Sequence, residues 1–230
     1  MKELIAERLA RVKETIAEAC ARAGRDPAEV TLIAVTKTIP ADVIQAAISA
    51  GVEHIGENRV QEARDKFPHV PAGVVRHLIG HLQTNKARYI PGLFDWVHSL
   101  DRIELAQALG KRAQREGRTI DCLIQVNVSG EETKHGVAPE RALELVEQVA
   151  EVEGLRVRGL MTMAPLTGDT GLIRWVFASL RSLSQEIEKA NIAGVSMEHL
   201  SMGMSNDFPI AIEEGATMIR VGSAIFGPRT

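Results

Sequence analysis

Leu4, Ile5, Leu9, Val12 and Ile16 recur at three- and four-residue intervals, the spacing of one face of a helix. Residues 2–23 are therefore predicted to form an amphipathic helix that ends near Gly24. The pattern then changes. TLIAVTK, residues 31–37, is a short apolar run rich in β-branched side chains, as expected of a parallel strand covered on both faces. A helix over 40–50 follows, with Pro40 at its start and Gly51 just past its end. Apolar runs and helical stretches alternate from there on. VEHIGEN, VVRHLIG, FDWVHSL, TIDCLIQVNV, LRVRGLMTM, MEHLSMGMS and MIRVGSAIF read as strands with the loops that follow them. Between them lie predicted helices over 59–66, from 84–89 onward, and over 101–116, 139–152, 171–191 and 206–214. Asp101 is a candidate N-cap for the third of these.

Strict alternation of strand and helix calls for a parallel sheet with covered faces. Eight such units favour a closed (β/α)8 TIM barrel, preceded by the extra N-terminal helix; a doubly wound open sheet is the alternative. No Ser/Gly-rich linker, charge block or strong repeat divides residues 1–230, so one domain is expected.

Composition narrows the function. Lys+Arg 27 against Asp+Glu 30 leaves a net charge of −3, with no basic excess to hold a nucleic-acid backbone. Aromatics are 3%, too few for a base-stacking platform, and the single tyrosine is Tyr89. Cys20 and Cys122 are the only cysteines, which excludes a disulfide framework and a Cys-rich zinc module. The N-terminus carries interspersed charges and does not read as a signal peptide. No run of roughly 18 apolar residues offers a membrane span. A cytoplasmic protein without nucleic-acid or membrane partners is expected.

Barrels place their chemistry at the C-terminal ends of the strands. The polar residues falling there are Lys37, Glu57, Asn58, His81, Asn127, Ser129, Ser201, Ser205, Gly222 and Ser223. A lysine near a low-dielectric barrel mouth deprotonates readily and can condense with an aldehyde; the plainer reading is a lysine that snorkels from a strand end. LSMGMSNDF (200–208) and RVGSAIFG (220–227) put small hydroxyl and glycine residues in the loops after strands seven and eight, the usual phosphate site of this fold. Small residues are also simply common in such turns. Arg220 shares a strand face with Gly222. It would meet either an acidic neighbour or a ligand ring nitrogen or carboxylate. A lysine, a phosphate cradle and an arginine between them are what pyridoxal phosphate needs.

His77 and His81 are four residues apart, about 13 Å on a strand, too far to share a metal ion. Cys122 reads as core. Lys111, Arg112, Arg115 and Arg118 read as a solvated helix end. Met161, Met163, Met202 and Met204 read as packing at the barrel mouth.

The stretches AVTK (34–37), GENRVQE (56–62), HLIGHLQTNK (77–86), VNVSGEETKHG (126–136), GLMTMAP (159–165), LSMGMSNDF (200–208) and IRVGSAIFG (219–227) together resemble the pyridoxal phosphate homeostasis proteins. These are single-domain relatives of the alanine racemase barrel. The resemblance spans nearly the whole chain. It implies that Lys37 carries pyridoxal 5'-phosphate as an aldimine and that Arg220 faces the pyridine nitrogen. It further implies that Ser201, Ser205, Gly222 and Ser223 hold the phosphate, and that Asn58 lies near the cofactor. Ser223 stands where many members carry threonine, and Phe208-Pro209 where a more polar helix start is expected.

Two functions fit that constellation. One is a carrier that buffers the cofactor and delivers it to apo-enzymes, with no catalytic residues and no metal. The other is an amino-acid racemase. The related racemases take a second base, a tyrosine, from an extra β domain of a partner. This chain closes soon after residue 227 and its one tyrosine falls after strand three, so the carrier is expected. A monomer is expected, with a dimer as the alternative.

Overall fold

A computed structural model describes residues 2–228. The strands are β1 Thr31–Val35, β2 His54–Glu57, β3 Val75–Leu78, β4 Trp96–Leu100, β5 Ile120–Gln125, β6 Leu155–Met161, β7 His199–Met204 and β8 Met218–Val221. They close in sequence order, with β1 pairing both β2 and β8, and every ladder is parallel. The open-sheet alternative is thus excluded, and the fold is the expected (β/α)8 barrel.

The helices are α1 Lys2–Ala23, α2 Ala41–Ser49, α3 Val60–Lys66, α4 Ile90–Leu93, α5 Ile103–Arg115, α6 Ala142–Ala150, α7 Thr170–Lys189, α8 Phe208–Glu213 and α9 Ser223–Phe226. The additional α1 buries Ile5, Leu9, Val12, Ile16, Ala19 and Cys20, the stripe its sequence predicts. Each fully buried Ile or Leu is worth roughly 1.5–3 kcal/mol, which keeps α1 docked on α2, α8 and α9. None of the described helices is long and apolar enough to cross a membrane.

Two local expectations differ. The apolar run after Arg220 does not stay extended: β8 stops at Val221, and Ser223–Phe226 turns into the short α9. Asp101 does not cap α5. Arg102 holds that position without a side-chain cap, and Asp101 instead accepts from Arg102 Nη1 at 2.5 Å. Apolar side chains fill the space between sheet and helices. The barrel interior is different. Ile33, Leu123, Met161 and Met218 form a small apolar cluster there with Trp96 and Met163, and His77, His98, Ser201 and Arg220 are buried as well.

Candidate functional site

A cavity of about 260 Å³ opens at the C-terminal end of the barrel, lined by residues of β1, β7 and β8 and of the loops that follow β1, β2, β3, β6, β7 and β8. Of the residues expected from sequence, Lys37, Asn58, Ser205, Arg220, Gly222 and Ser223 line it. Ser201 does not. It lies in β7, fully buried, with its hydroxyl bonded to Arg220.

Lys37 sits in the turn after β1, half-buried, between two pinned threonines. Thr36 donates its hydroxyl to Glu57 Oε1 at 2.8 Å and gives its carbonyl to Lys66 Nζ at 2.8 Å. Thr38 holds a left-handed backbone, φ 63°, that costs a β-branched residue energy. Its amide donates to Glu62 Oε2 at 2.8 Å, which holds it there. Lys66 Nζ ties both carboxylates together, at 2.9 Å from Glu57 and 3.0 Å from Glu62. Glu57 is buried, its Oε2 has no partner, and burial pushes its pKa up against the bonds from Lys66 and Thr36. The sequence marks Glu57 by its strand-end position but gives neither it nor Glu62 a role. Their work is to set the backbone on both sides of Lys37.

Asn58 is fixed from the opposite side by Gly80. A Cβ on Gly80 would lie 2.3 Å from the Asn58 carbonyl oxygen, so only glycine admits this approach of the β2 and β3 loops.

Three donors converge across the cavity. The Gly222 and Ala224 amides point at Ser205 Oγ, at 3.2 and 3.4 Å. Ser223 adds an exposed hydroxyl beside them. Gly203, at φ 92°, lets β7 bend into this loop; a Cβ there would stand 2.6 Å from Ala211 Cβ. Asp207 also lines the cavity. Its Oδ1 is turned to the Met204 amide at 2.5 Å, and burial raises its pKa, opposed by that bond and by Arg220.

Arg220 rises from β8 into the cavity floor, 4% exposed. Among the described residues no carboxylate bonds it. Nη1 donates to Ser201 Oγ at 2.6 Å and Nη2 to the Thr162 carbonyl at 2.9 Å. Burial lowers its pKa to about 10, which still leaves it charged at neutral pH. Beneath it, His98, His77 and His54 form a hydrogen-bonded file through the barrel.

The remaining candidates separate. His77 turns into the barrel, whereas His81 lies at the rim with its ring stacked 3.8 Å from that of His135 and Nδ1 3.6 Å from Asp101. Cys122 is core, and burial pushes its thiol to about 12. Tyr89 lies under the guanidinium groups of Arg64 and Arg88. Met163 and Met204 line the cavity, Met161 packs inside the barrel and Met202 outside it. Arg118 reaches the Pro91 carbonyl and Asp95 rather than standing free in solvent.

The buried histidines make stability depend on pH. Burial lowers the pKa of His77 and His98 well below the ordinary 6.5, and lowers those of His54 and His199 as well. Above 6.5 each is neutral folded and unfolded, and no penalty exists. Below it the unfolded chain takes up protons that the folded chain refuses, so stability falls with pH. His77 and His98 can each contribute up to about 1.4 kcal/mol per pH unit. Denaturant melts are expected to show falling stability from pH 7.5 to 5.5; a flat or rising profile would contradict the neutral assignment.

The family model for the alanine racemase N-terminal domain matches residues 8–230. The pyridoxal phosphate homeostasis protein of Aquifex aeolicus is 45% identical over 97% of both chains. That of Escherichia coli is 41% identical over 98% of this chain and 97% of its own. Among solved structures, PipY of Synechococcus elongatus with pyridoxal phosphate bound superposes at TM-score 0.84 with 37% identity, covering 97% of this chain and all of that one. An alanine racemase from Clostridium difficile superposes at 0.80 but is 12% identical and is covered over 57% of its length, a likeness of fold alone.

Proposed function

The chain belongs to the alanine racemase N-terminal domain family and, within it, to the pyridoxal phosphate homeostasis proteins, and we propose that it binds pyridoxal 5'-phosphate, buffers it and releases it to apo-enzymes. One observation carries this reading: a single cavity gathers Lys37, Arg220 and the Ser205, Gly222 and Ser223 donors.

The donor set suits the cofactor. The Ser205 hydroxyl and the Gly222 and Ala224 amides make an uncharged cradle of hydrogen-bond donors, able to turn from one another to phosphate oxygens. Lys37 Nζ would supply the amine for the cofactor's aldehyde, with water as the leaving group. Arg220 offers a donor to the pyridine nitrogen and keeps its own protons. Asn58, locked by Gly80, lines the same cavity and would lie near the cofactor. Bound to the amine of an amino acid, the cofactor supplies an electron sink; with an arginine at its ring nitrogen that sink is weak. Three lining side chains, Leu166, Asn206 and Ser223, are exposed, so the cavity already communicates with solvent. That suits loading and release.

Ser205→Ala is expected to weaken cofactor affinity. A hydrogen bond to a charged group is worth roughly 1.5–3 kcal/mol, about ten- to a hundredfold in Kd. Pyridoxal lacking its phosphate should bind more weakly still. Equilibrium titration by absorbance checks both. Equal affinity for pyridoxal and its phosphate would remove the anion cradle from the argument. Delivery is tested by mixing the loaded protein with an apo-enzyme that needs the cofactor. Recovery of that enzyme's activity must outpace the free dissociation of cofactor.

A further inference from the structure

Arg220 and four side chains below it make one continuous hydrogen-bonded file. Arg220 Nη1 stands 2.6 Å from Ser201 Oγ, and Ser201 Oγ 2.9 Å from His98 Nδ1. His98 Nε2 is 2.9 Å from His77 Nδ1, and His77 Nε2 is 3.0 Å from His54 Nδ1. Ser201, His98 and His77 are fully buried, and His54 is half-buried. The file draws on β2, β3, β4, β7 and β8, so the closed barrel alone assembles it.

The hydrogens in this file can run in either of two directions, and the chemistry of its upper end selects one. A guanidinium only donates, so Ser201 Oγ must accept from Arg220. If His98 Nδ1 also carried a proton toward Ser201, the serine hydrogen would have no acceptor in a fully buried site. If instead Ser201 donates to His98 Nδ1, every later member follows. His98 Nε2–H donates to His77 Nδ1, and His77 Nε2–H to His54 Nδ1. In this order each group turns its lone pair toward the cation and its hydrogen away from it, the favourable orientation of a dipole beside a charge. Burial keeps the two deeper imidazoles neutral, as the file requires.

We propose that Ser201, His98, His77 and His54 form a one-way hydrogen-bonded file, each histidine in its Nε2–H form, that positions Arg220 against the cofactor ring. Ser201 and His98 are positioning residues: they act on the cofactor through the guanidinium. Ser201 therefore belongs to the ring-nitrogen end of the site rather than to the phosphate cradle. The positioning role rests on the cofactor reading above, whereas the tautomers do not.

The test has two arms. In the cofactor-free protein, long-range ¹H–¹⁵N correlation spectra at pH 8 report which ring nitrogen of each histidine carries the proton. Nε2–H at His98 and His77 is expected, and Nδ1–H at His98 overturns the file whatever the protein binds. In the loaded protein, the ¹⁵N shift of labelled cofactor's ring nitrogen and the Kd are read for Ser201→Ala, Ser201→Thr and His98→Phe. Ser201→Ala and His98→Phe should move the ring-nitrogen shift and weaken binding about tenfold, the loss of one charge-assisted bond. Ser201→Thr, which keeps the hydroxyl, should restore both. Wild-type affinity and an unmoved shift in folded Ser201→Ala would sink the positioning role while leaving cofactor binding standing. A wild-type protein that does not bind the cofactor would instead sink the functional reading. A variant that fails to fold removes only itself, since the tautomer spectra of the wild-type protein still decide the file.

Discussion

Lys37→Ala is expected to abolish covalent capture of pyridoxal phosphate while the barrel remains folded. The wild-type protein loaded with cofactor should show a visible absorbance band that borohydride removes, leaving a stable adduct at one site. Mass spectrometry of a digest should place that adduct on Lys37. The variant should show neither band nor adduct, and its residual affinity should come from the Ser205, Gly222 and Arg220 contacts alone. Stability should change little. Lys37 is half-buried in a turn, and substitutions at such places commonly stay within about 0.5 kcal/mol. Thr36, Thr38, Glu57, Glu62 and Lys66 hold the turn on both sides of the lysine. An adduct on Lys86 or Lys134 would overturn the assignment. Lys66→Met offers the converse. It keeps Lys37 but frees the two carboxylates, so capture should become slower and weaker without disappearing.

What the sequence makes legible is what depends on neighbours along the chain. Period-two and period-3.6 patterns place the strands and helices, and alternation with Pro and Gly at the helix ends gives the barrel. Strand ends then give most of the cavity lining. What it hides depends on register around the closed sheet. Ser201 sits among serines and glycines that suggest an anion loop. Yet the pairing of β7 with β8 sets it opposite Met218, two residues before Arg220, whose guanidinium reaches its hydroxyl, and curvature of the barrel brings His98, over a hundred residues away in sequence, to its other side. The end of β8 misleads for a different reason. SAIF is apolar and reads as strand, but Gly222 breaks the extended run and the next residues fold into α9. That break turns the Gly222 and Ala224 amides toward Ser205. Asp101 is a good N-cap by residue type, and the local chain prefers to pair it with Arg102. Glu57 is marked by its place at a strand end, but its partner is not; Lys66, nine residues on, is that partner.

The loaded protein is expected to exchange cofactor without racemising amino acids at a useful rate. Racemisation needs an acid–base group on each face of the substrate's α-carbon. Among the described residues lining the cavity, the titratable side chains are Lys37, Asp207 and Arg220. Lys37, displaced when an amino acid arrives, can serve one face. Arg220 stays charged and bonded to Ser201 and Thr162, and Asp207 is occupied by the Met204 amide. Tyr89, the one tyrosine of the sequence, lies beneath Arg64 and Arg88 and does not line the cavity. A positioned acid or base typically contributes about 10²–10⁴-fold, so a site with one of the two should show only traces of inversion. The measurement is incubation of loaded protein with L-alanine and other amino acids in deuterated water, followed by chiral chromatography and mass spectrometry. Slow deuterium entry at Cα with retention of configuration is the expected outcome, because one lysine exchanges protons on its own face. Inversion on the order of tens of turnovers per second, in the range of ordinary enzymes, would make the protein a racemase and require a second base that the cavity lining does not supply.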